Sequence, residues 1–276
     1  MVRDQGALDS WAEGEGEPLL LIRTALSAQH LVPLAREPAL AEHFRLLTYD
    51  RRGYGQSPPL QAPGSLEREA ADAAAVLDDL EADSAHVLGD SYSVAIALEL
   101  ALTAPEGVRS LILIEPPPVL APGADRFLAA NRQLLDSVES DGVDAALEEF
   151  LGALSGPGWR SEYDGVVPGT SRRITQDAPA FFTADIPALL DWSLDAERAT
   201  RLEQPMLHVA GTESGPLFAT VHDWLHDLFP HVRTVSVPGA GHDVSFTHPA
   251  EVAAAVAEFL QQAGGTHDPG RRPGRS

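Results

Sequence analysis

The chain contains no cysteine and no lysine. Without cysteine it can form neither a disulfide nor a thiolate metal site. Histidine and carboxylate could still hold zinc, but no H-E-x-x-H or similar helical spacing is present, so no metal is expected. The missing lysine accompanies an abundance of Ala, Gly and Pro, a pattern of high-GC codon usage with no functional meaning attached. No apolar run is long enough to cross a bilayer. The first residues, MVRDQGALDSWAEGEGE, lack the apolar centre of a signal peptide, and a cytoplasmic location is expected. Basic residues are few: 19 arginines face 41 acidic residues, for a formal net charge of −22. That field repels nucleic acid and anionic membrane, so neither is expected as a partner. A small-molecule substrate remains, and the sequence leaves the oligomeric state open.

What is present is an ordered alternation of strands and helices. A chain of 276 residues can form one large α/β domain with an insertion. The runs PLLLIR (Pro18–Arg23), FRLLTYD (Phe44–Asp50), SAHVLGD and VRSLILIE (Val108–Glu115) read as buried parallel strands. Between them, Ser65–Ala82 reads as a helix with Leu66, Ala70, Ala73, Leu77 and Leu80 on one face and Ser65 as its N-cap. From Pro116 to Glu203 no convincing strand occurs. Helical stretches fill it, then Pro/Gly-interrupted segments rich in aromatics. Alternation resumes with QPMLHVAG, PLFATVHDWLHDLF, VRTVSVPG and PAEVAAAVAEFLQQA. The expected architecture is an α/β fold, a mostly parallel sheet flanked by helices. Its core comprises 1–115 and 204–263, its helical cap 116–203, and its disordered tail 264–276.

Open sheets of this kind bind ligands beyond the C-terminal strand ends. Ser91, Glu115, Gly211 and Gly241 all follow strands, so they are expected at one edge. HVLGDSYS carries a near match to G-x-S-x-G, the strand–turn–helix that lifts a nucleophilic serine clear of a sheet. Ser93 replaces the last glycine, and a small residue there meets the same steric need. The competing reading of Ser91 is an ordinary helix N-cap. A serine hydroxyl needs a base. His242, in the glycine-lined loop PGAGHD after the last strand, is placed to be that base. His248 precedes Pro249 and reads as a cap or surface residue.

These segments together resemble the α/β-hydrolase superfamily across nearly the whole chain. TYDRRGYGQS, HVLGDSYS, PMLHVAGTES and GAGHDVSFTHPAEVAAAVAEFL are similar to its successive motifs, in order and spacing. The resemblance implies a cofactor-free enzyme with Ser91 as nucleophile and His242 as base. It also implies an oxyanion hole from the backbone N–H groups of Tyr92 and Ala25. Two departures stand out. Arg23-Thr24 replaces the usual His-Gly, and Arg23 reads as a brace for its loop. Ser214 stands where the family usually carries its acid. Some members place the acid one strand earlier, which here is Glu115. Glu115 is the first candidate and Glu213 the second. Asp50 is expected to order loops. Were Asp90 at the turn's tip instead of Ser91, the chemistry would be that of an epoxide hydrolase. Tyr92, Trp159, Phe181, Phe182 and Trp192 are candidates to line an apolar pocket.

The expected activity is serine hydrolysis of an ester or lactone of a small to medium, largely apolar substrate through an acyl-enzyme on Ser91. Two other readings stay open: a non-hydrolytic lyase, cyclase or isomerase of specialised metabolism on the same fold, and a catalytically silent binding protein.

Overall fold

The computed structural model describes residues 6–60, 64–119 and 121–264. Its strands are β1 (Ser10–Glu13), β2 (Glu17–Ile22), β3 (Phe44–Tyr49), β4 (Ala85–Asp90), β5 (Val108–Ile114), β6 (Met206–Gly211) and β7 (Arg233–Val237). They form one sheet in the order β1-β3-β2-β4-β5-β6-β7. All neighbours pair in parallel except β1, which runs antiparallel to β3. The fold is therefore the α/β architecture expected, with one strand added. β1 is a four-residue edge strand, SWAE, without an apolar run to announce it. Its backbone finds partners only because Trp11 and Glu13 register against Thr48 and Leu46.

The period of two along each strand divides the core in two. Leu20, Ile22, Val87, Leu111 and Leu113 pack with the helices Leu66–Asp79, Tyr92–Thr103 and Pro216–Leu228. Leu19, Leu21, Leu88, Ile112 and Ile114 point the other way, toward two short helices at Val32–Ala35 and Pro38–Ala41 and the last helix, Pro249–Gly264. β4 is buried at every position, as a strand covered on both faces must be. Ser65 caps its helix by accepting a hydrogen bond from Arg68 N–H.

Between β5 and β6 the described residues form helices joined by turns and loops, with no strand among them. The helices Asp125–Asp141, Val143–Leu154, Trp159–Val166, Thr170–Ala180 and Ile186–Asp191 carry a π-helical turn at Phe181–Asp185, just after Pro179. They build a third cluster around Leu147, Leu151, Trp159, Ile174 and Phe181. Leu26, from the loop after β2, and Phe246, from a short helix after β7, reach into it. These contacts help hold the helical layer over the C-terminal ends of the strands. Past Gly264, the expected tail lies outside the described residues. Among the described residues no helix is long and apolar enough to cross a membrane.

Candidate active site

Ser91 sits between β4 and the helix Tyr92–Thr103 with φ 50° and ψ −119°. A non-glycine residue rarely adopts positive φ, and the cost is of order 1–3 kcal/mol. The turn is held by Ser91 N–H donating to Ile114 O and Val94 N–H donating to Ser91 O. The side chain makes no capping bond, which removes the N-cap reading of its conformation. Strand and helix approach closely here. A Cβ on Gly89 would lie 2.5 Å from Ser93 O and 2.7 Å from Val94 Cα. Ser93 is fully buried, and its Oγ accepts from Asp90 N–H at 2.8 Å and donates to Ile22 O at 2.7 Å. The serine in the last place of GDSYS thus ties the turn to β2, which glycine could not do.

His242 leaves the loop after β7 and brings Nε2 to 3.0 Å from Ser91 Oγ. Its Nδ1 lies 3.3 Å from Glu115 Oε2. Glu115, directly after β5, has φ 46° and is almost fully buried. Its other oxygen, Oε1, accepts from Gly211 N–H at 2.6 Å and from Ser214 Oγ at 2.7 Å. Burial alone would lower the pKa of His242. The hydrogen bond and negative charge of Glu115 outweigh it, with help from Asp243 and Asp90, and the result is a raised value. Glu213 is exposed, and its backbone N–H donates to Ala240 O. Between the two carboxylates proposed from sequence, the structure brings only Glu115 to His242. The ring of Phe218 packs 4.5 Å from that of His242. His248 bonds Thr247 instead. Asp90 is buried, accepts from Ser245 Oγ and lies 3.9 Å from His30 Nε2. Ser91, not Asp90, occupies the tip of the turn.

Thr24, Ala25 and Leu26 follow β2 and line the same cavity as Ser91 and Tyr92. Tyr92 opens its helix, so its N–H has no partner within that helix. Arg23 stacks on Trp11 and pairs with Asp50, which also accepts from Gln56 N–H. Both residues order loops. A buried network extends from there. Tyr54 accepts from Leu26 N–H and donates to Asp185 at 2.5 Å, while Arg51 bridges Asp185 and Glu69. Tyr92 OH donates to Glu69 at 2.6 Å. Burial, only partly offset by Arg51, pushes Glu69 up to about 7. The network joins the Leu26 loop, the Tyr92 helix and the π-helical turn.

A cavity opens over Ser91. Its walls are mainly apolar, including Pro117, Phe127, Phe150, Ile174 and Leu189. Of the five aromatics expected there, Tyr92 and Phe181 line it. Trp159 and Phe182 face inward among the cap helices. Trp192 packs beneath them against the first sheet face, its Nε1 donating to Glu99. Their helical spacing marks burial, but burial in a helical layer has two sides. Tyr163 and Asp243 line the cavity too, and neither stood out in the sequence as a pocket residue. Asp243 adjoins His242, which was its only signal.

The sheet order, the turn at Ser91 and the helices inserted after β5 together define the α/β-hydrolase class of enzyme. Residues 33–249 match the family model for the alpha/beta hydrolase fold, and the chain belongs to this family. It is similar to the 2-hydroxymuconate semialdehyde hydrolase of Pseudomonas sp. strain CF600, with 30% identity over 91% of this chain and 89% of that protein. It is 28% identical to the pimeloyl-acyl-carrier-protein methyl ester esterase of Yersinia enterocolitica, over 81% of this chain and 86% of the other. A thermophilic esterase from Thermogutta terrifontis superposes with a TM-score of 0.78 at 21% identity, covering 93% of each chain. The protein is a hydrolase of this fold.

Proposed function

We propose that the protein cleaves esters or lactones of small to medium, largely apolar substrates through an acyl-enzyme on Ser91. The observation that carries this reading is the continuous contact from Ser91 Oγ to His242 Nε2 and from His242 Nδ1 to Glu115, opening onto an apolar cavity. His242 takes the hydroxyl proton as Ser91 Oγ attacks the carbonyl carbon. The developing oxyanion accepts hydrogen bonds from Tyr92 N–H and Ala25 N–H, aided by the positive end of the Tyr92–Thr103 helix. His242 then returns the proton to the leaving alkoxide, and the ester C–O bond breaks. A water, deprotonated by His242, releases the acid and restores Ser91. Glu115 holds Nδ1–H, which leaves Nε2 free to accept, and its charge stabilises the imidazolium. The segment 116–203 acts as a cap that covers the bound substrate. The substrate is a small molecule, and the mechanism calls for no cofactor. The relatives support this reading, two being an esterase and a hydrolase by name.

The test is covalent labelling. A fluorophosphonate is expected to modify wild-type protein at Ser91, with loss of p-nitrophenyl ester turnover, and to leave Ser91→Ala unmodified. Folded wild-type protein that resists the reagent and hydrolyses no ester would overturn the reading.

A further inference from the structure

The cavity over Ser91 is apolar in its walls but carries two carboxylates, Asp90 and Asp243, and among the described residues no arginine lines it. Asp243 Oδ2 lies 2.7 Å from Ser155 Oγ and 2.8 Å from Tyr163 OH, two hydroxyls supplied by the helical layer. Both donate to the same oxygen, so the carboxylate is fixed in orientation. Oδ1 makes no hydrogen bond among the described residues. Asp90 is only 1% exposed, and its Oδ1 has no hydrogen-bond partner among them either. Among the described residues that line the cavity, the one group able to carry positive charge apart from His242 is His30. It lies 3.9 Å from Asp90 and stacks on Phe246.

We infer that Asp243 is a specificity-determining residue: its free oxygen accepts a hydrogen bond from a substrate O–H or N–H, and the cavity rejects substrates carrying a free carboxylate. This rests on the hydrolase reading above and narrows its substrate class to esters or lactones that bear a hydroxyl or amino group along an otherwise apolar chain. The chemistry follows from the groups present. A carboxylate entering the cavity would sit beside Asp243 and Asp90 and meet like charge, with only His30 and His242 among the described lining residues able to pair with it. A hydroxyl brings its own donor to an acceptor that is already oriented, so little ordering is lost on binding. The alternative is that Asp243 serves only as a latch between the histidine loop and the helices carrying Ser155 and Tyr163.

Three methyl esters of matched length separate these: methyl pentanoate, methyl 3-hydroxypentanoate and monomethyl glutarate. Wild-type kcat/KM should be highest for the hydroxy ester and at least about tenfold lower for the glutarate than for the pentanoate. Asp243→Asn keeps the shape and both hydroxyl partners while removing the charge. It should raise kcat/KM for the glutarate about tenfold relative to the pentanoate. A latch predicts the same factor of change for all three esters, and that result would overturn the inference. So would wild-type turnover of glutarate and pentanoate at equal efficiency. Calorimetric titration of Ser91→Ala with the same esters reads the preference without turnover. Failed hydrolysis with preserved discrimination would then count against the reaction and not against the role of Asp243. Equal binding of the three esters would count against Asp243 itself.

Discussion

Replacing Glu115 by glutamine tests the triad more sharply than deleting any member of it. The two side chains have the same shape, so the outcome turns on charge and hydrogen-bond direction. Glu115 Oε1 accepts from two donors, Gly211 N–H at 2.6 Å and Ser214 Oγ at 2.7 Å. In Glu115→Gln an amide oxygen must occupy that position, because an NH₂ there would face the Gly211 N–H, which can only donate. The NH₂ is thereby turned toward His242 Nδ1, 3.3 Å away in the wild type. A donor facing Nδ1 makes it the unprotonated nitrogen, and the ring proton moves to Nε2. Nε2 then cannot accept the proton of Ser91, 3.0 Å away. Loss of the correct tautomer together with the carboxylate charge lowers kcat by about 10³–10⁴, or ~4–5.5 kcal/mol in the activation barrier. The fold should persist, since both donors keep an acceptor. The assay is kcat on p-nitrophenyl butanoate beside Ser91→Ala as the floor, with thermal melts to show folding. Glu213→Gln is the control and should stay within about twofold of wild type, because the side chain is exposed. A folded Glu115→Gln that keeps a tenth or more of wild-type kcat would refute the tautomer argument. A large loss in Glu213→Gln would move the acid to the other strand end.

Two further predictions follow from buried histidines. His242 must be neutral to act as base, and Glu115 raises its pKa above the ordinary 6.5. kcat/KM should therefore rise with pH through a midpoint above 6.5, and in Glu115→Gln the residual activity should show a lower midpoint, since burial then acts with less opposition. A midpoint unmoved by the substitution would separate Glu115 from the base. His208, on β6, is 1% exposed, and burial, with the neighbouring His222 and His226, lowers its pKa to about 3. The folded state holds it neutral while the unfolded chain protonates near pH 6.5, so folding stability falls as pH drops from 6.5 toward 3. Between pH 6.5 and 4.5 this one group removes about 2 kcal/mol of folding stability. Urea melts of wild type and His208→Leu at the two pH values should show the variant losing that much less. Equal losses would assign the acid sensitivity to other groups.

The sheet was legible because parallel strands covered on both faces are written as apolar runs, and LLLI and LILI are hard to read otherwise. β1 was not legible, because an edge strand of four residues takes its order from β3 and needs no apolar run of its own. The helix Thr170–Ala180 was obscured by Pro179 within it. Ser91, Glu115 and His242 could be brought to one edge on paper, since each follows a strand and parallel strands end on the same side. Asp243, Tyr163 and Asp185 could not. Their meaning lies in contacts between distant segments: Tyr163 with Asp243, and Tyr54 with Asp185. No local period records those. Three of the expected cavity aromatics, Trp159, Phe182 and Trp192, lie elsewhere for a related reason. A helical stripe says that Trp159 and Phe181 are buried but not whether a neighbouring helix or an open cavity covers them.

The two departures at the strand ends, Glu115 after β5 and Ser214 after β6, make physical sense only as a pair. β5 and β6 are neighbours, and Glu115 N–H donates to Val209 O on the adjoining strand, which fixes the backbone of one end against the other. The carboxylate of Glu115 reaches across this seam to Gly211 and Ser214 with one oxygen and to His242 with the other. An acid at 214 would set a second negative charge within hydrogen-bond distance of the first. Such like charges cannot both ionise comfortably, and one carboxyl would be held protonated. A serine there reverses the sign of the interaction. It donates a hydrogen bond to the buried carboxylate, supplies part of the solvation lost on burial, and fixes which oxygen faces His242. GTES is thus the complement of LILIE: with a carboxylate closing β5, the position after β6 is the place where a donor is most useful.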